Sequence, residues 1–138
     1  MITKILVAFD GSDPSRKAFL LGADLARRYK AELFVLTVAT VPDYHDEVET
    51  QSVMERSRAH GRSLLRSLEH EVGKMGVSAN FELAVGHPAQ NIVDHAEQRH
   101  VDLIVLGHRG RGALDRWRLG SVTHRVVAYA TCAVTVVR

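Results

Sequence analysis

Short apolar runs alternate along the chain with longer stretches in which apolar residues recur every three or four positions. Residues 4–9, Lys-Ile-Leu-Val-Ala-Phe, form the first run. It is continuous and carries β-branched residues, the mark of a strand buried on both faces. Asp10-Gly11-Ser12-Asp13-Pro14 follows as a turn and a helix start, with Ser12 or Asp13 to cap and Pro14 in the first turn. Ala18, Leu21, Leu25 and Ala26 then repeat at helical spacing through about Tyr29, with Arg16, Lys17, Arg27 and Arg28 on other faces. Residues 33–38 predict a second buried strand. Residues 39–50 are polar, acidic and interrupted by Pro42, and predict a loop. A long helix is expected from about residue 51 to 74, with Leu64, Leu65, Leu68 and Val72 as its apolar stripe. Residues 77–85 read as a third strand, and Gly86-His87-Pro88 opens a helix that turns Ala89, Ile92, Val93 and Ala96 inward. Residues 101–106, 122–129 and 134–137 complete the pattern as strand, short helix and strand.

Strand and helix alternating in this way predict an α/β fold, an open parallel five-stranded sheet with helices on both faces. Right-handed crossovers leave few topologies for it. The 138 residues suit one domain, 1–138, with no linker, repeat or low-complexity tract.

Between the fourth strand and the last helix lies Gly107-His-Arg-Gly110-Arg-Gly112-Ala-Leu-Asp-Arg-Trp-Arg-Leu-Gly120-Ser121. A glycine-rich loop that leaves a strand and feeds a helix N-terminus offers backbone N–H groups and the positive end of a helix dipole to an anion. Arg109, Arg111, Arg116 and Arg118 add positive charge. Two familiar phosphate loops do not fit. No lysine precedes Ser121 as a P-loop requires, and Asp115 stands where the third glycine of a dinucleotide fingerprint belongs. The pattern that does fit is G-x2-G-x9-G-[ST], met at Gly107, Gly110, Gly120 and Ser121.

That spacing resembles the nucleotide-binding branch of the universal stress protein family, and the resemblance covers the whole chain. It implies strand order 3-2-1-4-5, a Rossmann-like sheet related to the adenine nucleotide alpha hydrolases. In that order strands one and four meet where the order reverses, the place at which ligands bind in open α/β sheets. Asp10 and Gly107 follow those two strands, so both belong at one crevice. The resemblance further implies ATP as ligand. Ala8 would wall the adenine pocket and the Val38 backbone would read the adenine edge. Asp10 would lie at the nucleotide, where a carboxylate accepts from a ribose or an adenine amino group, and it also suits an Asx turn. Gly107 and Gly110 would let the chain pass the phosphates. The N–H groups of Gly120, Ser121, Val122 and Thr123 open the last helix and lack intrahelical partners, with the Ser121 and Thr123 hydroxyls as further donors. The competing reading of Ser121 is an ordinary N-cap. Arg109 and Arg111 either pair with phosphate oxygens or are solvated. Mg²⁺ would come with the nucleotide, held by phosphates and water. His108 departs from the Ser or Thr common in the family, and an acid or base role for it stays open. Trp117 packs the loop down or meets a partner chain.

A net charge of +2 gives no ground for nucleic acid, and no apolar run approaches the ~20 residues of a membrane span. No signal peptide pattern opens the chain, so a cytoplasmic protein is expected. The one cysteine, Cys132, excludes an internal disulfide and reads as a small hydrophobe. Asp43, His45, Asp46, Glu47 and Glu49 read as a solvated cluster rather than a metal site, and His60, His70, His95 and His100 as polar helix-face residues. The apolar strand 133–137 would be a sheet edge through which family members commonly dimerise, so a homodimer is expected. The leading expectation is a nucleotide-responsive regulatory module in the stress response, with an unnamed protein partner. The alternatives are an interaction protein without nucleotide and a slow nucleotide hydrolase. No residue is assigned to orient a water, so fast turnover is not expected.

Overall fold

The computed structural model describes residues 1–40, 47–110 and 119–138. The elements run β1 (Lys4–Ala8), α1 (Asp13–Tyr29), β2 (Glu32–Ala39), α2 (Glu47–Met75), β3 (Ala79–Val85), α3 (Pro88–Gln98), β4 (Leu103–Gly107), α4 (Ser121–Tyr129) and β5 (Ala133–Val137). The sheet has the order β3-β2-β1-β4-β5, and every neighbouring pair is parallel. Ile5 of β1 stands beside Leu33 of β2 on one side and Leu103 of β4 on the other.

Continuous apolar runs became central strands because both sheet faces are covered. On one face Ile5, Val7, Leu33 and Val35 pack with Phe19 and Ala23 of α1 and Leu65 and Leu68 of α2. On the other, Leu6, Leu36, Ile104 and Leu106 pack with Ile92 and Ala96 of α3 and Val126 of α4. Burying such side chains stabilises the fold by ~1.5–3 kcal/mol each. Helix α1 starts as expected: Ser12 is the N-cap, its Oγ accepts from the Ser15 N–H at 3.3 Å, and Pro14 lies in the first turn. It ends on Lys30 in the left-handed region (φ 55°), whose N–H reaches back to the Ala26 and Arg27 carbonyls.

The expected helix start at residue 51 is corrected to Glu47. Acidic residues that read as loop are equally at home in a first helical turn, where the macrodipole favours them. The acidic cluster's Asp43, His45 and Asp46, and the side chains of residues 47–50, lie outside the described residues. His100 is corrected too. It sits in the turn after α3 with φ 54°, not on a helix face. His95 is half-buried, with Nδ1 3.0 Å from Glu82 Oε2.

Candidate functional site

Ala8, Phe9 and Asp10 leave β1 next to Gly107, Arg109 and Gly110, which leave β4, at the carboxyl ends of the strands. A cavity of about 600 Å³ opens there. It falls within the ~300–1,000 Å³ of small-molecule pockets. All ten site residues expected from the sequence line it: Ala8, Asp10, Val38, Gly107, Arg109, Gly110, Gly120, Ser121, Val122 and Thr123. They come from the ends of three strands and the start of one helix. Leu36, Thr37, Ile92 and Leu106 add a largely apolar floor, and Ser57, His60, Gly61 and Leu64 of α2 add a wall that the sequence reading missed. Arg111, Arg116, Arg118 and Trp117 lie outside the described residues.

Gly107 and Gly110 each have a local reason visible in the packing. A Cβ on Gly107 would lie 2.7 Å from Pro14 Cβ, 2.8 Å from the Pro14 carbonyl carbon and 2.9 Å from Ser15 N. The end of β4 therefore touches the backbone of the first turn of α1, and no side chain fits between them. A Cβ on Gly110 would lie 2.5 Å from Asp10 Oδ2. The other carboxylate oxygen, Oδ1, accepts from the Ser12 N–H at 2.9 Å, which is the Asx turn expected of Asp-Gly. Asp10 is thus fixed by its own turn and at the same time presented to the cavity.

Helix α4 starts differently from α1. Its N-cap is Gly120, which has no side chain to cap with, and Ser121 is the first helical residue. The N-cap reading of Ser121 is corrected accordingly. The expectation of a free Gly120 N–H is corrected too: it donates to the His108 carbonyl at 2.7 Å, and the N–H groups of residues 121–123 head the helix at the cavity. The Thr123 hydroxyl donates to the Gly107 carbonyl at 2.7 Å and is buried. Its proton ties α4 to β4, which leaves the Thr123 backbone N–H rather than its hydroxyl as a donor toward the cavity.

Arg109 lines the cavity with its Nε shut off from solvent and without a hydrogen-bond partner among the described residues. His108 is absent from the lining. It is 8% exposed; its N–H donates to the Val137 carbonyl at 2.7 Å, and its Nδ1 stands 3.3 Å from the same oxygen. Its side chain anchors the end of β5 and does not face the cavity, which removes the ground for an acid or base role there. No three His, Cys, Asp or Glu side chains converge as a metal site among the described residues. Cys132 is half-buried, and burial pushes its thiol up. A second, more open cavity of about 380 Å³ lies at the opposite strand ends, lined by Lys4, Glu32, Phe34, Glu82 and Arg99. Glu82 there pairs with Arg99, whose guanidinium lies 5.2 Å over the Phe34 ring and whose Nε, like that of Arg109, is buried without a hydrogen-bond partner among the described residues. This cavity is at the wrong strand ends for a ligand of an open parallel sheet.

Fold and crevice together define an open α/β protein with a cavity where the strand order reverses. The model of the universal stress protein family matches residues 1–138, and the chain belongs to that family. Universal stress protein YxiE of Bacillus subtilis is 36% identical over 148 aligned positions, which cover 100% of each chain. The structure of UspA from Lactobacillus plantarum superposes with a TM-score of 0.93 at 32% identity, covering 99% of this chain and 98% of that one. The universal stress protein from Archaeoglobus fulgidus in complex with dAMP shares the fold, with a TM-score of 0.67, 23% identity and 100% of both chains covered.

Proposed function

We propose that this chain binds ATP in the cavity at the ends of β1 and β4 and acts as a nucleotide-responsive regulatory module. The observation that carries the reading is convergence: ten residues distant in sequence meet on one cavity, with a helix start uncapped by any side chain at one end. The N–H groups of residues 121–123 take the phosphates, and Gly110 leaves their path open. Arg109 supplies positive charge. A buried guanidinium N–H without a partner is costly, and a phosphate oxygen satisfies it. The base lies on the apolar floor between Ala8 and Val38, and the ribose near Asp10. Mg²⁺ is carried by phosphate oxygens and water in this reading. That a protein of the same fold holds dAMP supports an adenine nucleotide.

Among the described residues, none lining the cavity is assigned to activate water, so hydrolysis is at most slow in this reading. Among the described residues no helix is long and apolar enough to cross a membrane, and a cytoplasmic protein is part of the proposal. Strand β5 is one edge of the sheet, with Val136 exposed and Val127 and Tyr129 of α4 exposed nearby in sequence. Pairing of two such edges gives the homodimer we expect. The test of the central reading is to denature the purified protein and identify what it releases by mass spectrometry. ATP or ADP in near-stoichiometric amount is the expected result. Release of no nucleotide, together with no ATP binding in calorimetry, contradicts it.

A further inference from the structure

The cavity runs across the strand ends, from the glycine loop after β4, past Asp10 after β1, to residues 37–40 at the end of β2. Helix α2 closes the far side. Ser57, His60, Gly61 and Leu64 line it at i, i+3, i+4 and i+7, a single helical face. Gly61 explains how the helix comes so near. A Cβ there would stand 2.6 Å from Leu83 Cδ1 and 3.4 Å from Thr37 Cγ2, so the helix backbone rests on the sheet beside the cavity. That contact brings Ser57 and His60, the preceding turn, over the opening. Three ionisable side chains line the cavity among the described residues. Asp10 and Arg109 belong to its glycine-loop end, and His60 to the α2 end.

This inference rests on the nucleotide reading above. With phosphates at residues 110 and 121–123, the base points away from β4, toward β2 and α2. We propose that His60 contacts the base of the bound nucleotide and so sets how tightly that end of the ligand is held. An imidazole offers a flat face on which the face of a purine can stack. Elsewhere at this end Val38, Ala39 and Leu64 supply shape, Ser57 and Thr40 add hydroxyls, and the Thr37 hydroxyl is taken by the Phe9 carbonyl at 2.8 Å.

The experiment is calorimetry of His60→Ala with ATP and, separately, AMP. His60 is exposed on a helix, so alanine leaves the urea midpoint unchanged. The expected result is a loss of about tenfold, the order of one base contact, and by the same factor for both ligands. His70→Ala, on the same helix but away from the cavity, changes neither affinity. Unchanged ATP and AMP affinity in His60→Ala overturns the proposal while the nucleotide reading stands. A clearly larger loss for ATP than for AMP also overturns it, because the contact is then to phosphate. So does a loss matched by a lower urea midpoint, which makes the role structural. Failure of the unsubstituted protein to bind either nucleotide overturns the nucleotide reading and this inference together.

Discussion

Gly110→Val tests the link between the glycine loop and Asp10. The first atom added, Cβ, arrives 2.5 Å from Asp10 Oδ2. Comfortable carbon–oxygen contacts begin at about 3.3 Å, so the carboxylate must retreat by roughly 0.8 Å. Its other oxygen is held by the Ser12 N–H at 2.9 Å, and a retreat of that size breaks the bond. One hydrogen bond to a charged group is worth about 1.5–3 kcal/mol, and this half-exposed one lies at the low end. We therefore expect a stability loss of about 1–2 kcal/mol, read as a lower urea midpoint at unchanged slope. The two methyl groups project toward the proposed phosphate path. ATP affinity is expected to fall at least about a hundredfold, or ~2.7 kcal/mol. A double-mutant cycle separates the effects. Asp10→Ala removes the colliding oxygen together with the same bond to Ser12, so in that background Gly110→Val should cost little further stability while binding stays lost. If Gly110→Val binds ATP as tightly as the unsubstituted protein, the glycine is not at the phosphate path and the assignment is wrong. Strict additivity of the two stability losses would show that the 2.5 Å approach carries no energetic weight.

Gly107→Ala probes the other motif glycine, where the obstacle is backbone of Pro14 and Ser15 rather than a movable side chain. Overpacking of this kind costs about 1–3 kcal/mol, and chemical denaturation should show it without any ligand present. Asp102 probes the opposite end of the sheet. Its Oδ2 accepts from the Thr3 N–H at 2.8 Å, the Thr3 hydroxyl at 2.9 Å and the Lys4 N–H at 3.0 Å. These bonds hold its carboxyl below the usual range, those from Thr3 contributing most. A carboxyl lowered in the folded state adds stability above its unfolded value near ~3.9 and loses it as the pH falls through the folded value. Asp102→Ala should therefore show a flatter acid limb of stability against pH, while an identical limb would show the three bonds to be without consequence.

The sheet was legible because its central strands β1, β2 and β4 are largely continuous apolar runs, and only burial on both faces accounts for such runs. The expected cavity residues met in space because the glycine spacing and Asp10 each report a turn at a strand end. What stayed hidden depends on contacts between distant segments. Nothing in the spacing around Gly107 says that Pro14 packs on it, and nothing around Thr123 says that its hydroxyl is taken by the Gly107 carbonyl. His108 looked chemical by its place in the loop. Only the arrival of Val137 beside it shows that its role is to anchor β5. The α2 wall was missed for a similar reason. The stripe from Leu64 to Val72 reports the core, whereas Gly61 reports a close approach to Leu83 and Thr37 that no local pattern announces. The start of α2 was misplaced because acidic residues suit a solvated loop and a first helical turn equally well.

The most direct measurement is a crystal grown or soaked with millimolar ATP and magnesium. A triphosphate is expected there, its oxygens within about 3.2 Å of the backbone nitrogens of residues 121–123, with the base between Ala8 and Val38. Ordered solvent alone in that cavity, or a nucleotide bound elsewhere on the molecule, would contradict it.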